Sequence, residues 1–257
     1  MKILPIAFLM VLPAFLLGAE EAENLTRPQG ELIFLRDFGS DEVGYLAIPE
    51  QKPEAGIVVA HGKFGLCMAT RTLCDRLAGA GFIVLAVDLF NGSVPKSPSD
   101  IDQHMDAVSS AATVSAIETG IHFFKLSPRF KMDKVIVLGI GESTRDVLAA
   151  ARKNRTLSGV TLLEPKVLPT ADLMNQIGAP VLAYVSTERN ITVDVDAVNA
   201  AAKAPLTMKL MPEVIYDDMQ EFKRHINDRV WEEVIDHWKK LELHERSIAD
   251  KLIDSVF

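Results

Sequence analysis

Lys134-Val135-Ile136-Val137-Leu138-Gly139-Ile140-Gly141-Glu142-Ser143-Thr144 is the stretch that decides the fold. Its β-branched apolar run reads as a buried strand. The glycines turn the chain sharply, and Arg145 to Lys153 continue with helical patterning. Strand, tight turn and helix in this order form the setting of a nucleophile elbow, which holds a Ser or Cys on a strained turn. The pattern wants a small residue two places before the nucleophile and another two places after it. With Gly139 in the first place, the nucleophile position falls on Gly141, which has no side chain to attack with. The scaffold resembles that of a hydrolase, and its reactive atom is expected to be missing.

Outward from this strand, short apolar runs alternate with helical patterns, the signature of a mostly parallel α/β sheet of about eight strands flanked by helices. Strands are predicted at Leu32–Leu35, Val43–Ala47, Gly56–Ala60, Phe82–Val87, Val135–Gly139, Val160–Leu163, Val181–Val185 and Thr207–Leu210. Helices are predicted at Ala69–Ala80, Ile101–Lys125, Thr144–Lys153, Ala171–Ile177, Val193–Ala202 and from Asp228 to the end. No repeat or linker interrupts the pattern, so residues 25–257 are expected to form one domain.

Two further segments extend the reading. Ile57-Val58-Val59-Ala60-His61-Gly62-Lys63-Phe64-Gly65-Leu66 is a strand entering a loop, and Ala78 to Gly92 is a helix end, a strand and a loop. In this order and spacing, with the elbow strand, they resemble the dienelactone hydrolase family of α/β-hydrolases over roughly Val43 to Leu241. The resemblance implies an α/β-hydrolase fold and ester or lactone hydrolysis. It implies an elbow Cys or Ser, an Asp after a later strand, a His after the last strand and a Glu after the third. Carried across, those positions fall on Gly141, Arg189, Tyr216 and Gly62. All four depart from the chemistry, since a nucleophile needs a base in hydrogen-bond reach and the base needs an orienting acid.

Replacement candidates exist. Ser143 fits G-x-S-x in Gly141-Glu142-Ser143-Thr144-Arg145 and is otherwise a helix-start residue satisfying orphan amides. His225 stands near the expected base, and Glu188, Asp194 and Asp196 near the acid. His61 and Asp88 read as residues that order their loops. His61, Gly62, Lys63 and Phe64 border the expected oxyanion loop, whose backbone donors survive side-chain loss. A dinucleotide site is the rival reading of Gly139-x-Gly141, with Glu164 as ribose acid. Thr144 in place of the third glycine and Glu142 beside the pyrophosphate count against it. No cofactor is expected.

Met1-Lys2, the apolar run Ile3–Leu17 and Leu17-Gly18-Ala19 read as a secretory signal peptide over residues 1–19. The domain is therefore expected in the periplasm or outside the cell, with an uncleaved N-terminal anchor as the second reading. A net charge of −8 offers no basic face for nucleic acid. No Cys or His spacing fits zinc. Cys67 and Cys74, about 10 Å apart if on one helix, are too distant for a disulfide and read as buried thiols. Asn24, Asn91, Asn154 and Asn190 are glycosylation sequons in a eukaryotic setting. Trp231, Val234, Ile235, Trp238 and Leu241 form a core-facing stripe, and the apolar tail through Phe257 packs back or serves a homo-oligomer contact.

Two functional expectations result. One is a degenerate binding or scaffold module for a small-molecule ligand. The other is an active carboxylic-ester or lactone hydrolase using Ser143.

Overall fold

The sheet runs in the order β1-β2-β4-β3-β5-β6-β7-β8. The computed structural model describes residues 29–36, 43–188, 193–211 and 230–240. Edge strand β1 (Glu31–Phe34) pairs antiparallel with β2 (Val43–Ala47), and β2 pairs antiparallel with β4 (Ile83–Val87). From β4 onward pairing is parallel through β3 (Gly56–Ala60), β5 (Val135–Ile140), β6 (Gly159–Leu163), β7 (Val181–Ser186) and β8 (Leu206–Met211). β3, β4, β5, β6 and β7 are buried along their whole length. Unbroken apolar runs are what a parallel sheet covered on both faces requires.

The helices are α1 (Met68–Gly79), α2 (Pro98–Ala107), α3 (Ser110–Leu126), α4 (Thr144–Lys153), α5 (Ala171–Ile177), α6 (Val195–Ala201) and α7 (230–240). Successive strand residues feed opposite cores, because side chains alternate across a sheet. Val58, Val137 and Leu162 join Phe124 of α3 and Val147 of α4 on one face. Ile57, Val59 and Leu138 join Leu73 of α1 and Trp231 of α7 on the other.

The segment predicted as one helix over Ile101–Lys125 is two. Val108 is extended, and the Ser109 hydroxyl accepts the Ala112 amide at 3.2 Å, capping a new helix. A Ser N-cap is the usual means of starting a helix afresh. Observed bounds of the other described elements coincide with the predicted ones or differ by one or two residues.

Along α7, Trp231, Val234 and Trp238 are buried, as the stripe predicts, while Leu241 and the tail lie outside the described residues. Both cysteines are buried free thiols. Among the described residues no helix is long and apolar enough to cross a membrane. Residues 1–19, where a signal peptide is expected, lie outside them.

β3 lies between β4 and β5, so the chain leaves β3 toward one side and returns to build β5 on the other. Such a reversal opens a crevice beyond the carboxyl ends of the strands, where ligands bind in open α/β sheets. The loop after β3 and the elbow after β5 meet there.

Candidate functional site

The turn after β5 places Gly141 at φ +58°. Side chains avoid this left-handed region at a cost of roughly 1–2 kcal/mol, so elbows hold their nucleophile under strain. Here a glycine takes the turn, and it does so without strain. Gly139 satisfies the other steric demand of the turn. A Cβ there would stand 2.8 Å from Val147 Cγ2 and 3.0 Å from Thr144 Cα, both on α4. Gly139→Ala is expected to destabilise the protein by about 1–3 kcal/mol through overpacking. Chemical denaturation checks this, and an unchanged midpoint would refute the close approach.

Ser143 is buried, and its hydroxyl is committed to backbone. Oγ donates to the Ala60 carbonyl at 2.7 Å, with the Ile140 carbonyl 3.1 Å away, and accepts the Ile140 amide at 3.0 Å. A hydroxyl has one proton, and a carbonyl is no base for it. Ser143 thus ties the ends of β3 and β5 together as the second small residue of the elbow.

Glu142 reaches back across the turn. Its Oε2 accepts the Lys63 amide at 3.3 Å, and Oε1 lies 3.7 Å from Lys166 Nζ. A carboxylate of the chain's own therefore rests on a donor of the expected oxyanion loop. In that loop Gly62 and Phe64 are buried, and the Lys63 ammonium lies 5.1 Å from the Phe64 ring centroid.

His61 is fully buried and joins two loops. Leu89 N–H donates to Nε2 at 2.9 Å, so that nitrogen carries the lone pair, and Nδ1 lies 2.9 Å from the Gly62 carbonyl, to which it donates. The Asp88 carboxylate, 3.7 Å from Nε2, is in this arrangement a neighbour and not a hydrogen-bond partner. Asp88 accepts the Phe90 amide at 2.9 Å and the Gly92 amide at 2.5 Å. Burial pushes its carboxyl upward while the hydrogen bonds from these two amides draw it down, and the group titrates below the usual carboxylate range.

Glu164, the ribose acid of the rival dinucleotide reading, stands just past β6. It is fully buried at the end of β6 with φ +50°, its amide donating to the Tyr184 carbonyl at 2.8 Å. The pairing of Ile140 with Leu163 sets it beside Gly141. A strained, buried carboxyl at such a position marks a candidate functional residue. The only local sign is its place between a strand end and Pro165.

A cavity of about 50 Å³ lies at the elbow, lined by His61, Gly62, Phe90, Glu142, Ser143 and neighbours. It admits water-sized groups, whereas ligand sites commonly run to several hundred Å³. A larger cleft of about 650 Å³, lined by Glu50, Lys52, Asp75 and Lys239 among others, opens at the amino ends of β3 and β4, away from the elbow. Arg189, Tyr216 and His225 lie outside the described residues. Among those described, no group of three His, Cys, Asp or Glu side chains is placed to hold a metal ion.

A family model described as the dienelactone hydrolase family matches residues 43–236. Similar solved structures include a Klebsiella pneumoniae protein described as a dienelactone hydrolase, with TM-score 0.64, 16% identity, and coverage of 82% of this chain and 98% of that one. A dienelactone hydrolase-like promiscuous phosphotriesterase from metagenomic libraries gives TM-score 0.62 at 16% identity, covering 83% and 98%. A thermostable carboxyl esterase from Bacillus coagulans gives 0.61 at 12%, with the same coverage. At these identities the likeness is one of fold. No curated protein matches the chain.

Proposed function

This chain belongs to the dienelactone hydrolase family, and from that premise we propose that it binds a small-molecule ligand at the elbow crevice instead of performing acyl transfer there. The carrying observation is Gly141 at φ +58°, a glycine at the apex where the family's nucleophile would stand. The Lys63 amide in contact with Glu142 supports a retained affinity for anionic groups. With Glu142 in place the cavity takes only a water-sized group, so ligand entry requires that partly exposed side chain to swing outward. We also propose, from residues 1–19, that the domain acts after export.

The competing reading, an ester or lactone hydrolase working through Ser143, has the buried backbone bonds of that hydroxyl against it. Ser143→Ala is expected to leave any hydrolysis of short-chain aryl esters or a simple lactone unchanged. It should nonetheless lower stability by about 2 kcal/mol, because the Ile140 amide loses its acceptor, and Tm by about 4–8 °C. Turnover present in the wild type and abolished in the variant, on the order of 10⁴-fold, would overturn the binding reading. In the same assay, a lactone that raises Tm and is recovered unhydrolysed would support it.

A further inference from the structure

The loop after β4 carries a serine that the elbow does not use. Asn91 at φ +52° and Gly92 at φ +84° are consecutive left-handed residues. Asp88 holds that turn rigid through the Phe90 and Gly92 amides. The next residue, Ser93, is thereby presented, exposed, at the carboxyl end of the sheet. Its Oγ lies 2.7 Å from His104 Nε2 on α2.

The orientation of His104 is determined by its other nitrogen. Nδ1 lies 2.7 Å from the Asp100 carbonyl one helical turn back. A carbonyl only accepts, so Nδ1 carries the proton and Nε2 the lone pair facing Ser93. The Asp100 carboxylate stands 3.8 Å from the same nitrogen, and the His104 side chain is 19% exposed. Phe90 packs against the imidazole, with ring centroids 5.1 Å apart. A hydroxyl, a base in hydrogen-bond reach and a group orienting the base are the parts of an activated serine.

We propose that Ser93 is a nucleophile with His104 as its base, forming an acyl-transfer site distinct from the elbow. Ser93 Oγ attacks the carbonyl carbon of an ester while its proton passes to His104 Nε2. The tetrahedral species collapses, the C–O bond to the leaving group breaks, and the departing alkoxide takes the proton from Nε2. A water molecule then attacks the acyl-serine, giving its proton to Nε2, which returns it to Ser93 Oγ as the acid leaves.

The local amides define the substrate class. That of Ser93 donates to the Phe90 carbonyl, and those of Phe90 and Gly92 donate to Asp88, so none of the three receives an oxyanion. A missing oxyanion donor costs about 10²–10³ in rate. The site is therefore confined to activated esters with a good leaving group, such as aryl esters of short acids.

The test treats the protein with a biotinylated alkyl fluorophosphonate and locates the adduct by peptide mass spectrometry. Ser93 attacks phosphorus, fluoride departs, and the proton goes to His104. The expected result is an adduct on Ser93, absent from Ser93→Ala and formed at least about 10²-fold more slowly in His104→Gln. Circular dichroism of both variants confirms that the fold is retained. No adduct on Ser93, or one whose rate His104→Gln leaves unchanged, would overturn the proposal. An adduct on Ser143 would overturn the elbow reading instead, and its presence or absence is scored independently of Ser93.

Discussion

Trp231→Ala is expected to destabilise the protein by about 3–5 kcal/mol, the range for removing a fully buried large aromatic side chain. Trp231 lies on α7 at 0% exposure and packs in the core that contains Leu73 of α1 and Leu138 of β5. Its removal opens a cavity under the helix that covers one face of the sheet. The two tryptophans of α7 also differ in a way that a finer comparison detects. Among the described residues Trp231 Nε1 is buried and meets no hydrogen-bond partner, whereas Trp238 Nε1 donates to Thr161 Oγ1 at 2.8 Å. Trp231→Phe removes a buried donor whose desolvation no described residue offsets. Trp238→Phe leaves the Thr161 hydroxyl, 1% exposed, without that partner. Trp238→Phe should therefore be the more destabilising of the two phenylalanine variants. Urea midpoints with matched m-values measure all three. A loss below 1 kcal/mol for Trp231→Ala would show that α7 does not dock as described.

Asp88→Ala is expected to cost about 2–3 kcal/mol at neutral pH. It strips the Phe90 and Gly92 amides of their acceptor, and hydrogen bonds to charged groups are worth about 1.5–3 kcal/mol each. Gly92 is exposed and can turn to water, so the two contributions do not simply add. The same variant should slow fluorophosphonate labelling of Ser93, because the turn that presents it loses its tie. Asp88→Asn separates charge from shape. The folded carboxyl titrates below its ordinary value: burial raises it, and the hydrogen bonds from the two amides draw it down. A depressed carboxyl contributes stability that is complete above the unfolded pKa, about 3.9. That stability is lost as pH falls through the lower folded value. Wild type should therefore lose more stability than Asp88→Asn between pH 6 and about pH 3. Parallel acid limbs for the two proteins would contradict this assignment.

Much of the frame is legible residue by residue. Val43–Ala47 and Gly56–Ala60 coincide with β2 and β3, because each is a short apolar run closed by Pro, Gly or a charged loop. Counting from Gly139 places Gly141 at the turn apex, where the backbone indeed enters the left-handed region. That count works because the elbow is local: strand, turn and helix depend on neighbours within a few positions. The split between α2 and α3 was equally local. Ser109 is a standard cap, hidden by the apolar periodicity on either side.

The ownership of each proton is a different kind of fact. Ser143 bonds the Ala60 carbonyl 83 positions away. His61 accepts from Leu89, 28 positions away. Ser93 meets His104 only because α2 folds back over the loop after β4. Composition and spacing named Ser143 as a nucleophile candidate because they register the residue type and not the atom its hydroxyl faces. Sequence by itself determined the mostly parallel sheet, the sharp turn after β5 and the glycine at its apex, since those follow from side-chain size, backbone freedom and hydrophobic period. Tertiary structure alone decided which serine is locked between carbonyls and which faces an imidazole. Hydrogen bonds act over about 3 Å, and only the packed chain brings distant residues that close.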